Sequence, residues 1–295
     1  MKISFRMTII MIGILFSQLV SACVPQVPEV QTPKPQNTIT VPANISPVSI
    51  PDSQVRQLKS SETGRNYDIY VLLPTNYAQS QKAYPVLYLL DGQWDFKLLD
   101  SIYGGLLYDK FVPEMIIVGI TYSGQGADYG ALRAMDYTPV QDPFVAGSGD
   151  APKFLAFLKE RLLPFIETEY RVDASWRVLM GSSYGGIFTL YALFSDPGLF
   201  SGYVAASPSV VYGNRFAFNQ EATYASSHKD LPVRLFLSVG DGEDLKRPVD
   251  EFMHVLRGRH YVGLELETRI IEGERHSSNK PEAYNRALRF IFQDK

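Results

Sequence analysis

The chain has 295 residues, 45% hydrophobic and 20% charged, which is ample for a buried core and does not fit intrinsic disorder. A formal net charge of −3, with no basic recognition helix and no RNP-like aromatic pattern, excludes nucleic acid as an expected partner. The single cysteine excludes an intrachain disulfide and a cysteine-rich metal site.

At the N-terminus, Lys2 and Arg6 precede an apolar run from Met7 to Val20 that is short for a membrane span and fits an export signal. The small residues "VSAC" follow and end in Cys23. Residues 1–22 thus resemble a bacterial lipoprotein signal peptide, whose cleavage leaves Cys23 as a lipidated first residue held in a lipid bilayer; an uncleaved anchor helix or an ordinary signal is the alternative. Val24, not Asp, follows the cysteine, so in a double-membraned bacterium the resemblance places the expectation in the cell envelope at the outer membrane, facing the periplasm. Prolines at 25, 28, 33, 35, 42, 47 and 51 make residues 23–53 an extended tether, because proline breaks helices and the stretch has little to bury. The folded body is expected over 54–295.

Within that body, β-rich and amphipathic runs alternate, the pattern of a mostly parallel sheet with helices on both faces. Two strands open it, "VRQLKSS" and "NYDIYVLLP". The continuous apolar runs "YPVLYLL" (84–90) and "MIIVGITY" (115–122) predict strands buried on both faces, with the helical spacing of "FKLLDSIYGGLLYDKF" between them. Residues 123–151 are expected to form a loop. A long helix is expected at "APKFLAFLKERLLPFIETEY", then the strand "SWRVLM", the helix "GGIFTLYALF" and the strands "GYVAASPS" and "VRLFLSV". The helix "PVDEFMHVLRGRH", the strand "LELETRIIEG" and the helix "PEAYNRALRFIF" complete an α/β pattern of about eight strands.

Between "SWRVLM" and "GGIFTLYALF" lies Gly181-Ser182-Ser183-Tyr184-Gly185, a G-x-S-x-G pattern in the strand-to-helix context that the motif requires. A serine at the apex of such a turn is strained, so neighbours without Cβ are wanted, and the helix N-terminus supplies free N–H groups where an oxyanion forms. Ser183 is the apex and candidate nucleophile, and Ser182 points back into the fold. A serine hydroxyl needs a base. Of four histidines, His276 lies in the loop between the last strand and the last helix, where a general base is expected. The acid belongs after "VRLFLSV", where "GDGEDL" offers Glu243 as first choice and Asp244 or Asp241 as alternatives. The oxyanion hole combines the N–H of Tyr184 with that of Gln93, Gly92 allowing close backbone approach.

The blocks "YPVLYLLDGQ", "RAMDYTPV", "GSSYGGIFTLYALF", "AASPSV" and "IIEGERHSS" resemble, in order and spacing, the putative esterase family, the enterochelin esterase-like α/β-hydrolases. The likeness runs from Val55 onward and leans to periplasmic trilactone-siderophore esterases and related bacterial lipoproteins. It implies an α/β-hydrolase fold, a serine carboxylic-ester hydrolase acting through an acyl-enzyme on Ser183, and no cofactor or metal. The implied substrate is a small-molecule ester, such as a siderophore trilactone; an acyltransferase or a non-catalytic siderophore- or glycan-binding lipoprotein is the alternative. The resemblance also makes the loop at 123–151 the lid and substrate wall, and points to Arg133 as a substrate-facing residue, against a loop-anchoring pair with Asp136. Relatives often carry histidine where this chain has Ser182.

Overall fold

The computed structural model describes residues 48–293. The signal-like segment and Cys23 lie outside the described residues, as does most of the proline-rich stretch. From Ser49 the chain forms one compact unit.

Its centre is an eight-stranded sheet: β1 (Ser53–Lys59), β2 (Asn66–Leu72), β3 (Tyr84–Leu89), β4 (Ile116–Tyr122), β5 (Val172–Ser182), β6 (Gly202–Ala206), β7 (Arg234–Gly240) and β8 (Glu265–Ile271), in the order β1-β2-β4-β3-β5-β6-β7-β8. Only β2 runs against its neighbours, pairing antiparallel with β1 and β4, and the six strands from β4 to β8 are parallel. The β-branched and aromatic runs of β3 and β4 are buried at almost every position because helices cover both faces.

Side-chain alternation divides the core. Leu87 and Leu89 of β3 face helices α1 (Gly92–Tyr108) and α8 (Lys280–Ile291), whose Leu99, Tyr103, Tyr284 and Leu288 form the cluster on that side. Val86, Tyr88 and Leu90 face the opposite layer. There lie α2 (Tyr129–Tyr137), α3 (Ala151–Phe157), α4 (Leu163–Glu169), α5 (Tyr184–Ser195), α6 (Tyr212–Ser227) and α7 (Lys246–Arg259). Phe154, Phe157 and Phe188 are fully buried in this second layer, where each full burial contributes about 1.5–3 kcal/mol.

Three features depart from the sequence reading. The expected loop at 123–151 contains α2, whose first turn is capped by Asp128 accepting from Ala131 N–H at 3.0 Å. The long helix at 151–170 is interrupted by a π turn, Leu158–Leu162, in which Leu163 N–H reaches back to Leu158 O. Pro164, which has no N–H to continue the usual ladder, stands just beyond it. Helix α6 has no counterpart in the sequence reading, and Gly213, Asn214 and Arg215 hold positive φ within its first turn.

Candidate active site

The site assembles where the parallel strands end. Strand β5 runs into Ser183, whose φ of 60° and ψ of −117° are unfavourable for a residue with a side chain, and α5 begins at the next residue. A Cβ on Gly181 would collide with the carbonyl of Gly185, and one on Gly186 would lie 2.9 Å from Cα of Pro208. The glycines therefore let the chain reverse tightly against itself and against the segment after β6. Ser183 N–H donates to Ala206 O at 3.0 Å, and its carbonyl accepts from Ile187 and Ser209 N–H at 3.0 and 3.2 Å. The backbone is pinned on both sides while the side chain stays half-exposed. Ser182 is 2% exposed, so the two serines are separated as expected.

His276 and Glu243 come from the loops after β8 and β7. The Nδ1 of His276 lies 2.6 Å from Oε2 of Glu243. Oε1 of the same carboxylate accepts from Ser207 Oγ at 2.6 Å, Gly240 N–H at 2.6 Å and Asn279 Nδ2 at 3.2 Å. Burial alone would raise the pKa of Glu243, but bonds from His276, Ser207 and Gly240 outweigh it and hold the carboxyl below its ordinary range. An ionised Glu243 requires the proton on Nδ1, which leaves Nε2 as the basic nitrogen. Asp241 instead accepts from Gly273 N–H at 2.9 Å, and Asp244 is exposed. Of the three candidate acids, Glu243 alone is placed on the imidazole.

Ser207 and Asn279 were not singled out beforehand. Asn279 is fully buried, and its Nδ2 lies within hydrogen-bond distance of Ser207 Oγ (2.9 Å), Arg275 O (2.8 Å) and His276 O (3.0 Å) as well, sharing its two hydrogens among them and tying the histidine loop to the carboxylate. A continuous chain of contacts thus runs from Ser183 N–H through the β6 end and Ser207 to Glu243 and His276. Ser183 Oγ itself makes no hydrogen bond among the described residues; contacts of this kind often close only in complexes with substrate.

On the other side, Asp91 takes a left-handed conformation (φ 56°) and starts α1. A Cβ on Gly92 would lie 3.0 Å from the backbone of Gly119, so glycine lets this turn press onto β4. The first-turn N–H groups of α1 and α5, Gln93 and Tyr184 among them, have no acceptor inside their own helices. The two turns meet: a Cβ on Gly185 would be 3.3 Å from Asp91 Oδ2.

Arg133 is placed differently from both sequence readings. Its Nε and Nη2 donate to the two oxygens of Asp91, each at 2.8 Å, and Nη2 also reaches Ser182 O at 3.2 Å. The rings of Tyr184, Trp94 and Tyr137 surround it at 5.3–5.7 Å. The Nε and Nη2 edge of the fork is thus occupied by the oxyanion loop. Asp136, the other partner considered, is held by Arg65 Nη1 at 2.6 Å and Tyr67 OH at 2.7 Å. Burial disfavours the charge on Arg133, yet Asp91 outweighs this and raises its pKa. A second charged contact joins the two halves of the site: Lys280 Nζ and Tyr284 OH of α8 donate to Asp95 of α1 at 2.9 and 2.6 Å.

No group of three or more histidine, cysteine or acidic side chains suited to a metal occurs among the described residues.

The family model described as "Putative esterase" matches residues 60–289. The chain belongs to this family. It is a carboxylic-ester hydrolase with an α/β-hydrolase fold. It is 29% identical over 265 residues to the ferri-bacillibactin esterase BesA of Bacillus subtilis, covering 82% of this chain and 90% of that one. It is 27% identical over 281 residues to a siderophore triacetylfusarinine C esterase of Aspergillus fumigatus, covering 84% and 96%. The BES protein of Bacillus cereus superposes with a TM-score of 0.76 at 28% identity, over 85% of this chain and 98% of that one.

Proposed function

We propose that this esterase opens the ester bonds of a siderophore trilactone through an acyl-enzyme on Ser183. The observation that carries the mechanism is the bond between Glu243 and His276 beside a strained, half-exposed serine. As Ser183 Oγ attacks the carbonyl, Nε2 of His276 takes its proton and Glu243 stabilises the imidazolium. Charge on the carbonyl oxygen is met by the N–H groups of Tyr184 and Gln93. The imidazolium returns the proton to the leaving alkoxide, which departs as an alcohol. Water, deprotonated by His276, then attacks the acyl-enzyme, releasing the carboxylic acid and free Ser183.

The substrate class is drawn from the relatives, two of which are named for action on siderophores. It also suits an open site: the His276 side chain is 42% exposed, which leaves room for a macrocycle with bulky arms. Tethering to an envelope membrane through Cys23 belongs to the same proposal, supported by the "VSAC" segment and the proline-rich stretch after it.

The test is an ester panel followed by mass spectrometry, comprising an enterobactin-type trilactone, acetylated xylan and a feruloyl ester. Trilactone opening with fluorophosphonate labelling of Ser183 is expected. Labelling without trilactone cleavage would overturn the substrate, and labelling elsewhere would overturn the nucleophile. Palmitate incorporation that is lost in Cys23→Ser tests the anchor.

A further inference from the structure

A basic groove of about 370 Å³ lies between the C-terminal end of α1, the outer side of α8 and edge strand β8. Lys110, Arg269, Arg286 and Arg289 line it over a floor that includes Phe111 and Phe290, and among the described residues Glu267 is the one carboxylate in its lining. Glu267 lies 2.8 Å from Arg269, and Glu282 lies 3.6 Å from Arg286. Arg289 is stacked 4.0 Å over the Phe111 ring. On a chain of net charge −3 this is a local reversal of sign.

Lys110 gives an independent reason to look for a ligand. Helix α1 ends in a Schellman motif, with Phe111 N–H on Leu106 O (2.9 Å) and Lys110 N–H on Leu107 O (3.0 Å). Lys110 occupies its left-handed position, φ 61°, which glycine fills without steric cost. An exposed lysine there is strained and presents a cation to the groove; strain of this kind is a pointer to function.

Position supplies the partner. Helices α1 and α8 both start at the catalytic end, at Gly92 and Lys280. At 1.5 Å per residue, Lys110 and Arg289 lie about 27 and 14 Å further along. The body's first strand begins toward that far end too: Ser53 pairs with Leu72, which pairs with Ile117 near the start of β4.

We propose that this groove docks the protein on an anionic membrane surface, its cations meeting lipid phosphates while the catalytic loops face away. Only its biological setting rests on the membrane-tethered reading above. Each Lys or Arg near such a surface is worth about 1 kcal/mol, or about fivefold in partitioning.

The test uses the chain from Val24 onward, which keeps the whole compact body and lacks signal and acyl anchor. Its sedimentation is measured with phosphatidylcholine vesicles containing or lacking phosphatidylglycerol, at low and high salt. Salt-sensitive binding to the anionic vesicles alone is expected. Lys110→Gly with Arg289→Gln should weaken it about 25-fold. Lys59→Gln with Lys229→Gln, a charge-matched pair of exposed lysines outside the groove, should leave it unchanged. Turnover of a soluble ester is followed in the same samples, so that loss of docking and loss of catalysis are read separately. Lys110→Gly alone should melt no lower than the parent, which separates lost docking from misfolding. Equal binding to both vesicle types, no binding to either, or equal losses in the two double variants would overturn the proposal.

Discussion

Glu243 sits 2.6 Å from the imidazole of His276 with only 4% of its side chain exposed, so the acid that orients the base is itself shielded from water and held by neighbours. Glu243→Gln keeps the shape and loses the charge, and its amide can leave the imidazole in the wrong tautomer. A fall in kcat of about 10⁴ is expected by analogy with other triads. Asp241→Ala and Asp244→Ala should stay near parental rates. Steady-state kinetics of the three variants on one p-nitrophenyl ester decide it, and a near-silent Glu243→Gln would leave a serine-histidine dyad.

The sequence put Glu243 first but left Asp241 and Asp244 open beside it, and the reason is geometric. Three carboxylates in four residues share one loop composition, and what separates them is the direction each faces after β7. Asp241 turns to the N–H of Gly273, Asp244 to solvent and Glu243 to His276. Ser183 was legible because its signal is local: strand, glycine, serine, glycine, helix. Arg133 was not, since its partner Asp91 lies 42 residues away in a turn that looks like any β-to-α connection.

Ser183 tests the link between strain and activity. Its backbone conformation costs of order 1–3 kcal/mol for a residue with a Cβ. Ser183→Gly is expected to abolish ester turnover and to raise the melting temperature, whereas Ser182→Ala keeps most of the activity. Calorimetry beside a rate assay measures both effects; a Ser183→Gly variant that melts lower than the parent would contradict the strain.

Arg133 separates a structural clamp from a substrate contact. Asp91 is 2% exposed, and removal of the guanidinium strands a buried carboxylate, a change that typically costs about 3–5 kcal/mol. Arg133→Met should therefore lower both melting temperature and kcat, because Asp91 anchors the turn that carries Gln93. Arg133→Lys should recover only part, lacking the two-pronged geometry. A variant with a higher KM and parental stability would show instead that Arg133 serves the substrate.

Asp95 and Lys280 join the oxyanion helix to the helix that follows His276, with Asp95 only 3% exposed. Lys280→Met leaves Asp95 with Tyr284 as its remaining donor and loosens α1 from α8. A loss in kcat at nearly constant KM, partly restored in Lys280→Arg, is expected. Parental kcat in Lys280→Met would mean that the two halves of the site are held by apolar packing alone.

The pH dependence follows from the same carboxylate. Because the folded pKa of Glu243 is depressed, the folded state binds its proton less readily than the unfolded chain. The stability it contributes is complete above the ordinary glutamate pKa, 4.5, and is lost as pH falls from there through the depressed folded value. Ser207→Ala removes one of the bonds that cause the depression, so the folded pKa rises toward the ordinary value and the window of lost stability narrows from its acid side. At neutral pH the variant should be less stable by about 1.5–3 kcal/mol, the range for a hydrogen bond to a charged group. On acidification below the folded values the ionic part of this difference should shrink. Denaturant titrations of parent and variant across the acid range measure the convergence, and a gap that stays constant or widens as Glu243 protonates would show that Ser207 stabilises the fold by packing and not through the carboxylate.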